Sequence, residues 1–478
     1  TGNAGPRRRA SAGPHRLDRG GCAVSAGSLG KGATTLHPGR RRREDARPRS
    51  PERIAAARSG RDQRWARRRQ LHKISSLKRC RTCGHAATTS GAGPTLGVIT
   101  NPDGSRSAAY GGLTTCGSVW VCPVCAAKIA TRRADDLATV MRAVDEAGGS
   151  AFMLTLTMRH DRLDRLGMSV EQRHEAERLA NVTRDLKVKA ANRWDGVTAK
   201  DVQAAKDARA AYLEEHGGCW DVLGYAWSAV TSGAAWQHDT DSFGGLLGWA
   251  RAVEATWSER NGWHVHIHVL LCFAEQVSAD LVSAAVGLRM FGRWRRALER
   301  RGYTASEEHG WDLRRAQLGD GDLADYFTKM AHEVTSGHRK ETKSRGGRTP
   351  MHLLGEAVDT YEVGAMARWW EWEAASDGRR QLTWSTGRRD LRVFAGLGRE
   401  ATDEEIAAED QDADVRLALA EDTWEWLRRT GQETVLLTIT EATGIDGARA
   451  WLDHHRMTSC RVRPRSEATK AGSDDPGT

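Results

Sequence analysis

Residues 261–271, NGWHVHIHVLL, place three histidines at alternate positions inside an otherwise apolar run. In an extended chain successive side chains point to opposite faces, so His264, His266 and His268 share one side, while Val265, Ile267, Val269 and Leu271 share the other. A lone histidine on such a face is usually a hydrogen-bonded rim or core residue. Three in register point instead to a metal seat, since neutral imidazole is the commonest nitrogen ligand for divalent ions. The spacing alone leaves open whether such an ion is structural or catalytic.

Outward from this run, LLGWARAVEATW (246–257) reads as a second strand and SERNG (258–262) as a turn. A connection this short favours antiparallel pairing and predicts that Glu254 sits across from the histidine row. Upstream, AFMLTLTM (151–158) reads as a further strand, and the charged stretch 161–215 as two helices. Downstream, 277–301 returns to helical spacing with Arg289, Arg293, Arg296 and Arg300 as a basic stripe, which a solvated helix face explains equally well. DGDLADYFTKMAHEV (320–334) reads as another helix, with Asp320 or Asp322 as a cap near its start. SGHRKETKSRGGRTP (336–350) reads as a flexible loop.

Five of the nine cysteines fall between 80 and 125, and four of them form two CxxC pairs, KRCRTCGH and VWVCPVCAAK. In a chain without an evident export signal such clustering argues for metal rather than disulfides. The expected ligands of a tetrahedral zinc site are Cys80, Cys83, Cys122 and Cys125, with His85 and Cys116 in reserve. The 38 residues between Cys83 and Cys122 exceed the spacing of a compact zinc ribbon, so the Gly/Thr-rich stretch between them must loop out.

With 478 residues the chain has room for two or three domains, and 39% apolar with 28% charged residues suits a soluble globular protein. No apolar stretch is long enough to span a bilayer, and a cytoplasmic location is the expectation. The net charge of +10 is uneven: residues 1–70 carry 19 Lys and Arg against 5 Asp and Glu, a balance of +14, so the rest carries −4. We therefore expect a basic disordered arm at 1–70, which either lies along phosphates or is a solvated tail. A zinc-binding region at 71–135, a central domain at 145–345 that carries the histidine run, a mainly helical region at 351–460 and a disordered tail at 461–478 follow it. The RWWEWE run (368–373) is expected to pack among the C-terminal helices rather than stack on bases. GSLGKGATT (27–35) does not fit the GxxxxGK[ST] phosphate loop.

One further pairing bears on chemistry. Tyr326 and Lys329, at i and i+3 of the expected helix, share a face. A tyrosine hydroxyl, with a reference pKa of about 10, is a poor nucleophile at neutral pH. A phosphodiester whose oxygens are bound to a metal is a better electrophile.

The TLT strand (155–157), VEATW (253–257), NGWHVHIHVLL and YFTK (326–329), preceded by a CxxC region with CPVC (122–125), together resemble the HUH endonucleases. More narrowly they resemble the rolling-circle plasmid replication initiators of Gram-positive bacteria, actinobacteria included. The resemblance covers roughly residues 75–340, and the YxxK element follows His268 by 58 residues. It implies an α+β fold, an antiparallel central sheet flanked by helices.

It implies His266 and His268 as the metal pair, His264 as a third ligand or a DNA contact, and Glu254 as the remaining ligand. The ion would be Mg²⁺ or Mn²⁺. Tyr326 would be the nucleophile and Lys329 a point charge on the phosphate or phenolate. Asp322 would activate water at termination, a role its place near the helix start does not require; Asp325 is the weaker choice. The partners implied are plasmid origin DNA, single-stranded at the nick, with a host helicase and DNA polymerase. No membrane is implied. A single-tyrosine transposase or a relaxase shares the histidine strand, although relaxases commonly carry it after the tyrosine. A zinc-dependent DNA-binding regulator without catalysis, its three histidines structural, is the alternative of another class.

Overall fold

The histidine run forms a strand (β5, Gly262–Phe273) that pairs along its whole length with Leu246–Ser258 (β4) across a three-residue turn. On its other edge β5 pairs with Ser150–Leu156 (β3), which in turn pairs with Trp311–Ala316 (β6). The three-residue strand Leu382–Trp384 (β7) closes the order β6-β3-β5-β4-β7, antiparallel throughout. The computed structural model from which this is read describes residues 51–88, 93–101, 104–194, 196–242, 245–316, 347–410, 413 and 415–462.

The two faces of this sheet have different neighbours because β4 and β5 alternate differently on each. Val265, Ile267, Val269 and Leu271 share one core with Val253, Ala255 and Trp257, and with Trp227 and Trp294 from the helices Cys219–Val230 and Phe291–Glu299. On the histidine face, the half that carries Leu270, Cys272, Ala250 and Met153 lies under the helix Pro123–Glu146. That helix contributes Leu137, Val140, Met141 and Val144, each such side chain worth about 1.5–3 kcal/mol when fully buried. The half of the same face that carries Glu254 and the histidines continues beyond this packing.

A second antiparallel sheet joins Thr95–Thr100 (β1), Arg106–Gly111 (β2), Val415–Leu419 (β8) and Ser459–Val462 (β9) in the order β2-β1-β8-β9. Leu96, Val98, Leu417 and Leu419 pack on Trp424, Leu436 and Leu437 of the helices Glu421–Thr430 and Glu433–His454. The architecture is thus α+β, with antiparallel sheets flanked by helices. Among the described residues no helix is long and apolar enough to cross a membrane.

Two expectations from the sequence are corrected here. The basic arm drawn through residue 70 gives way at Pro51 to a 24-residue helix, Pro51–Ile74. Its cations meet acids far along the chain: Arg58 and Arg61 bind Glu441 at 2.8 and 2.7 Å, and Arg69 binds Glu433 at 3.2 Å. Trp65, Leu71 and Ile74 anchor it in the core. Local composition counts the charges and misses partners some 360 residues away.

The region 351–460, besides its helices, supplies β7, β8 and the start of β9, so its residues complete both sheets. The tail drawn from 461 begins inside β9; residues 463–478 lie outside the described residues, as do 1–50. The basic stripe is partly spent internally, since Arg289 and Arg293 bind the buried Asp239. Trp369 and Trp372 of the RWWEWE run are buried and Trp370 is partly exposed, as packing among helices requires.

Candidate metal centres

The short turn fixes the register of the β4–β5 hairpin. Ser258 pairs with Gly262, so Glu254 falls opposite His266 and Ala252 opposite His268. Because directly opposed residues share a face, the carboxylate and both imidazoles meet. His266 Nε2 and His268 Nε2 are 3.0 Å apart, and Glu254 Oε2 lies 3.3 and 3.2 Å from them. Cis ligands of an octahedral ion with bonds of about 2.1 Å stand about 3.0 Å apart, so these three atoms already occupy the corners of such a site.

The cluster is half-open, the Glu254 side chain being 29% exposed and that of His268 8%. Burial by itself would raise the Glu254 carboxyl. The hydrogen bonds from His266 and His268 outweigh it and hold the group well below the usual carboxylate range, so it is an anion at neutral pH.

Behind His268 stands Thr155, its β3 partner, whose Oγ1 is 3.0 Å from His268 Nδ1. Once an ion takes the place of the proton that Nε2 gives to Glu254, Nδ1–H can donate to Thr155 and the Nε2 lone pair is kept for the cluster. A Thr155→Val substitution retains the shape and strand propensity and removes that acceptor. It should weaken Mn²⁺ binding by about 10- to 100-fold in a titration followed by calorimetry; an unchanged affinity would deny Thr155 this role.

His264, on the same face, is not part of the converging trio. Its Nδ1 lies 2.8 Å from His160 Nε2, and His160 Nδ1 lies 2.9 Å from the Asn261 carbonyl. Burial, assisted by His266 and His160, pushes His264 down to about 4.

A second cluster lies at the start of the helix Pro123–Glu146, where Cys122 is the N-cap residue and Cys125 sits in the first turn. Their thiols meet those of Cys83 and Cys116, all four buried and mutually within 4.8 Å. The Sγ separations Cys83–Cys125, Cys116–Cys125 and Cys122–Cys83 are 3.6, 3.6 and 3.8 Å. A disulfide would need about 2.05 Å. A tetrahedron of sulfurs around an ion with Zn²⁺-like bonds of about 2.3 Å has edges of about 3.8 Å, and the four thiols fit it. Hydrogen bonds from Cys116, Cys122 and Cys125 hold the Cys83 thiol well below its ordinary value.

This set corrects the sequence expectation by one residue. Cys80 is buried beside the cluster and outside the four, and Cys116 takes the place assigned to it. The physical reason is the return of the chain along β2: it brings Thr114 against the Cys83 turn, with Gly84 N donating to the Thr114 carbonyl at 2.7 Å, and so delivers Cys116. His85 is engaged by His72 at 3.0 Å rather than by the thiols.

Comparison with known proteins adds two relatives. The chain is 28% identical over 399 residues to a Streptomyces lividans protein named "Protein rep", covering 74% of this chain and 80% of that one. It is 28% identical over 178 residues to a Streptomyces cyanogenus protein named "Neomycin resistance protein", covering 37% of this chain and 35% of that one. No family model matches the chain, and no solved structure does.

Of the residues singled out in the sequence, Glu254, His266 and His268 come together, as do Cys83, Cys122 and Cys125. Tyr326, Lys329 and Asp322 lie outside the described residues. Sequence reasoning gave no role to Thr155 or His160 and held Cys116 only in reserve. Thr155 belongs to the TLT strand already noticed, and its place beside His268 needed the β3–β5 register. His160 lies four residues beyond β3 and carries no motif.

Proposed function

We propose that this chain initiates rolling-circle replication of a plasmid, nicking and rejoining one strand at the origin through Tyr326. The observation that carries the reading is the half-open trio of Glu254, His266 and His268 on the central strands of an antiparallel sheet. Two further facts support it. The relative that spans most of this chain bears a name that points to replication. The described ends that flank the segment with Tyr326 also stand at opposite edges of the same sheet. Ala316 ends β6, and Arg348 pairs with Trp257 of β4 through backbone bonds of 2.9 and 2.7 Å.

In this reading Glu254, His266 and His268 hold a divalent cation, and Cys83, Cys116, Cys122 and Cys125 hold Zn²⁺. Two nitrogens and one oxygen suit Mn²⁺ better than Mg²⁺, which favours all-oxygen surroundings. When bound, the cation neutralises charge on the scissile phosphate and polarises it. Glu254 and the two imidazoles fix where that phosphate sits, and Thr155 fixes the orientation of His268.

The Tyr326 hydroxyl attacks the phosphorus, losing its proton. The bond from phosphorus to the 3′ oxygen breaks, and that oxygen leaves as a 3′ hydroxyl after taking up a proton. The 5′ phosphate remains esterified to Tyr326. Lys329 offers a positive charge to the phosphate or the phenolate. Asp322 activates water at termination. The free 3′ hydroxyl suits extension by a host polymerase, and strand separation falls to a host helicase. Because one ester replaces another, the linkage stores the bond for rejoining.

The test uses the full chain, Mn²⁺ and a single-stranded oligonucleotide carrying the plasmid's own origin. Wild-type protein should form an adduct that survives denaturing electrophoresis, and Tyr326→Phe should form none. An adduct of undiminished yield in Tyr326→Phe would rule out this nucleophile. Intact DNA under all conditions with the wild-type protein would favour a non-catalytic DNA-binding protein.

A further inference from the structure

The strand offers a third imidazole to the cluster, and the structure shows its Nδ1 bonded to His160 and the ring outside the converging trio. His264 is two residues from His266 on the same face, and its ring centroid is 4.9 Å from that of His266. The His266 and His268 rings, whose nitrogens do converge, are 4.7 Å apart. Strand spacing therefore places His264 almost as close to His266 as His268 is. What separates them is the bonding of the outer ring.

His160 supplies that difference. A carbonyl oxygen only accepts, so His160 Nδ1–H donates to Asn261 O at 2.9 Å. In the neutral ring its Nε2 then accepts, and the donor 2.8 Å away is His264 Nδ1–H. The segment bearing His160 is pinned on both sides. Arg159 N donates to the Thr304 carbonyl at 2.8 Å. The neighbouring backbone packs so closely on Gly262, at φ +68°, that a Cβ there would come within 2.9 Å of Asp161 O.

Resting on the reading of Glu254, His266 and His268 as a divalent-cation site, we propose that His160 is a positioning residue that holds His264 away from the ion, keeping the site at three protein ligands. The consequence is chemical. Three protein donors leave three of the six octahedral positions for phosphate oxygens and water, whereas a fourth protein donor would leave only two. The His160–His264 bond would thus reserve the exposed side of the centre for substrate.

The test counts imidazoles. Mn²⁺ is added to the full-length protein with its cysteine centre loaded with zinc, and bound nitrogens are read by electron spin-echo envelope modulation. Wild-type and His264→Ala should both show two coordinated imidazoles and the same Mn²⁺ affinity. His160→Ala, with His264 released, should show three and bind Mn²⁺ more tightly. The double variant His160→Ala/His264→Ala should return to two.

Three imidazoles in the wild-type protein, or two in His160→Ala, would overturn the proposal while leaving the metal centre itself intact. Absence of any coordinated imidazole in the wild-type protein would instead remove the centre on which the proposal stands. His264→Ala leaves His160 in place, so it keeps the question answerable if His160→Ala fails to fold.

Discussion

Replacing Glu254 by Gln should remove Mn²⁺ binding at the histidine strand, with an affinity loss of at least about 100-fold, and with it metal-dependent nicking. The substitution keeps volume and hydrogen-bonding reach, so the sheet should form as before. What it removes is charge. Glu254 is the only acid among the three converging donors, and its hydrogen bonds from His266 and His268 hold it ionised at neutral pH.

Two neutral imidazoles alone would have to balance a dication in a site where His268 is almost completely buried. A hard ion such as Mn²⁺ gains much of its binding from anionic oxygen. Calorimetric titration of the zinc-loaded protein measures the effect. Wild-type Mn²⁺ affinity in Glu254→Gln would remove Glu254 from the ligand set and leave the pairing with His266 a structural contact.

That Glu254 could be chosen from the sequence follows from the hairpin. Alternation from Trp263 to Val269, continued by an apolar tail, announces β5, and a connection of only three residues leaves little freedom in register, so the residue opposite His266 is nearly determined once the turn is placed. The same reasoning gives out wherever the partner is remote. β7 has three residues, too few to carry a period, and exists because β4 offers it an edge. VRLAL (415–419) lies between helices and becomes a strand by pairing with β1, more than 300 residues earlier.

The helix Pro51–Ile74 is one of the most basic stretches of the chain, and the acids that neutralise it belong to the last helix. His160 and Thr155 share this difficulty on a smaller scale. Each meets one histidine of the strand, and no periodicity reveals that meeting: Thr155 lies in a strand that the pattern shows, but its partner depends on the β3–β5 register.

Cys116 poses the sharpest version of the question, because pattern and geometry choose different ligands. The two CxxC pairs select Cys80, Cys83, Cys122 and Cys125; the thiol positions select Cys116 over Cys80. Cys116→Ser should therefore abolish binding of added Zn²⁺ at the cysteine cluster, while Cys80→Ser should retain it. The loss should be large, since structural zinc binding carries on the order of 10 kcal/mol and the liganded turn begins the helix Pro123–Glu146. That helix continues to Val144 against the histidine-bearing face of the sheet.

Unfastening its start exposes Cys122, Cys125 and Ile129, all buried in the folded chain. The melting temperature of Cys116→Ser should therefore fall far more than that of Cys80→Ser, which loses only packing. Metal content by atomic absorption and thermal unfolding, measured side by side, decide the matter. Zinc kept by Cys116→Ser and lost by Cys80→Ser would return the site to the pairs that the spacing suggests, with Cys116 a neighbour of the centre.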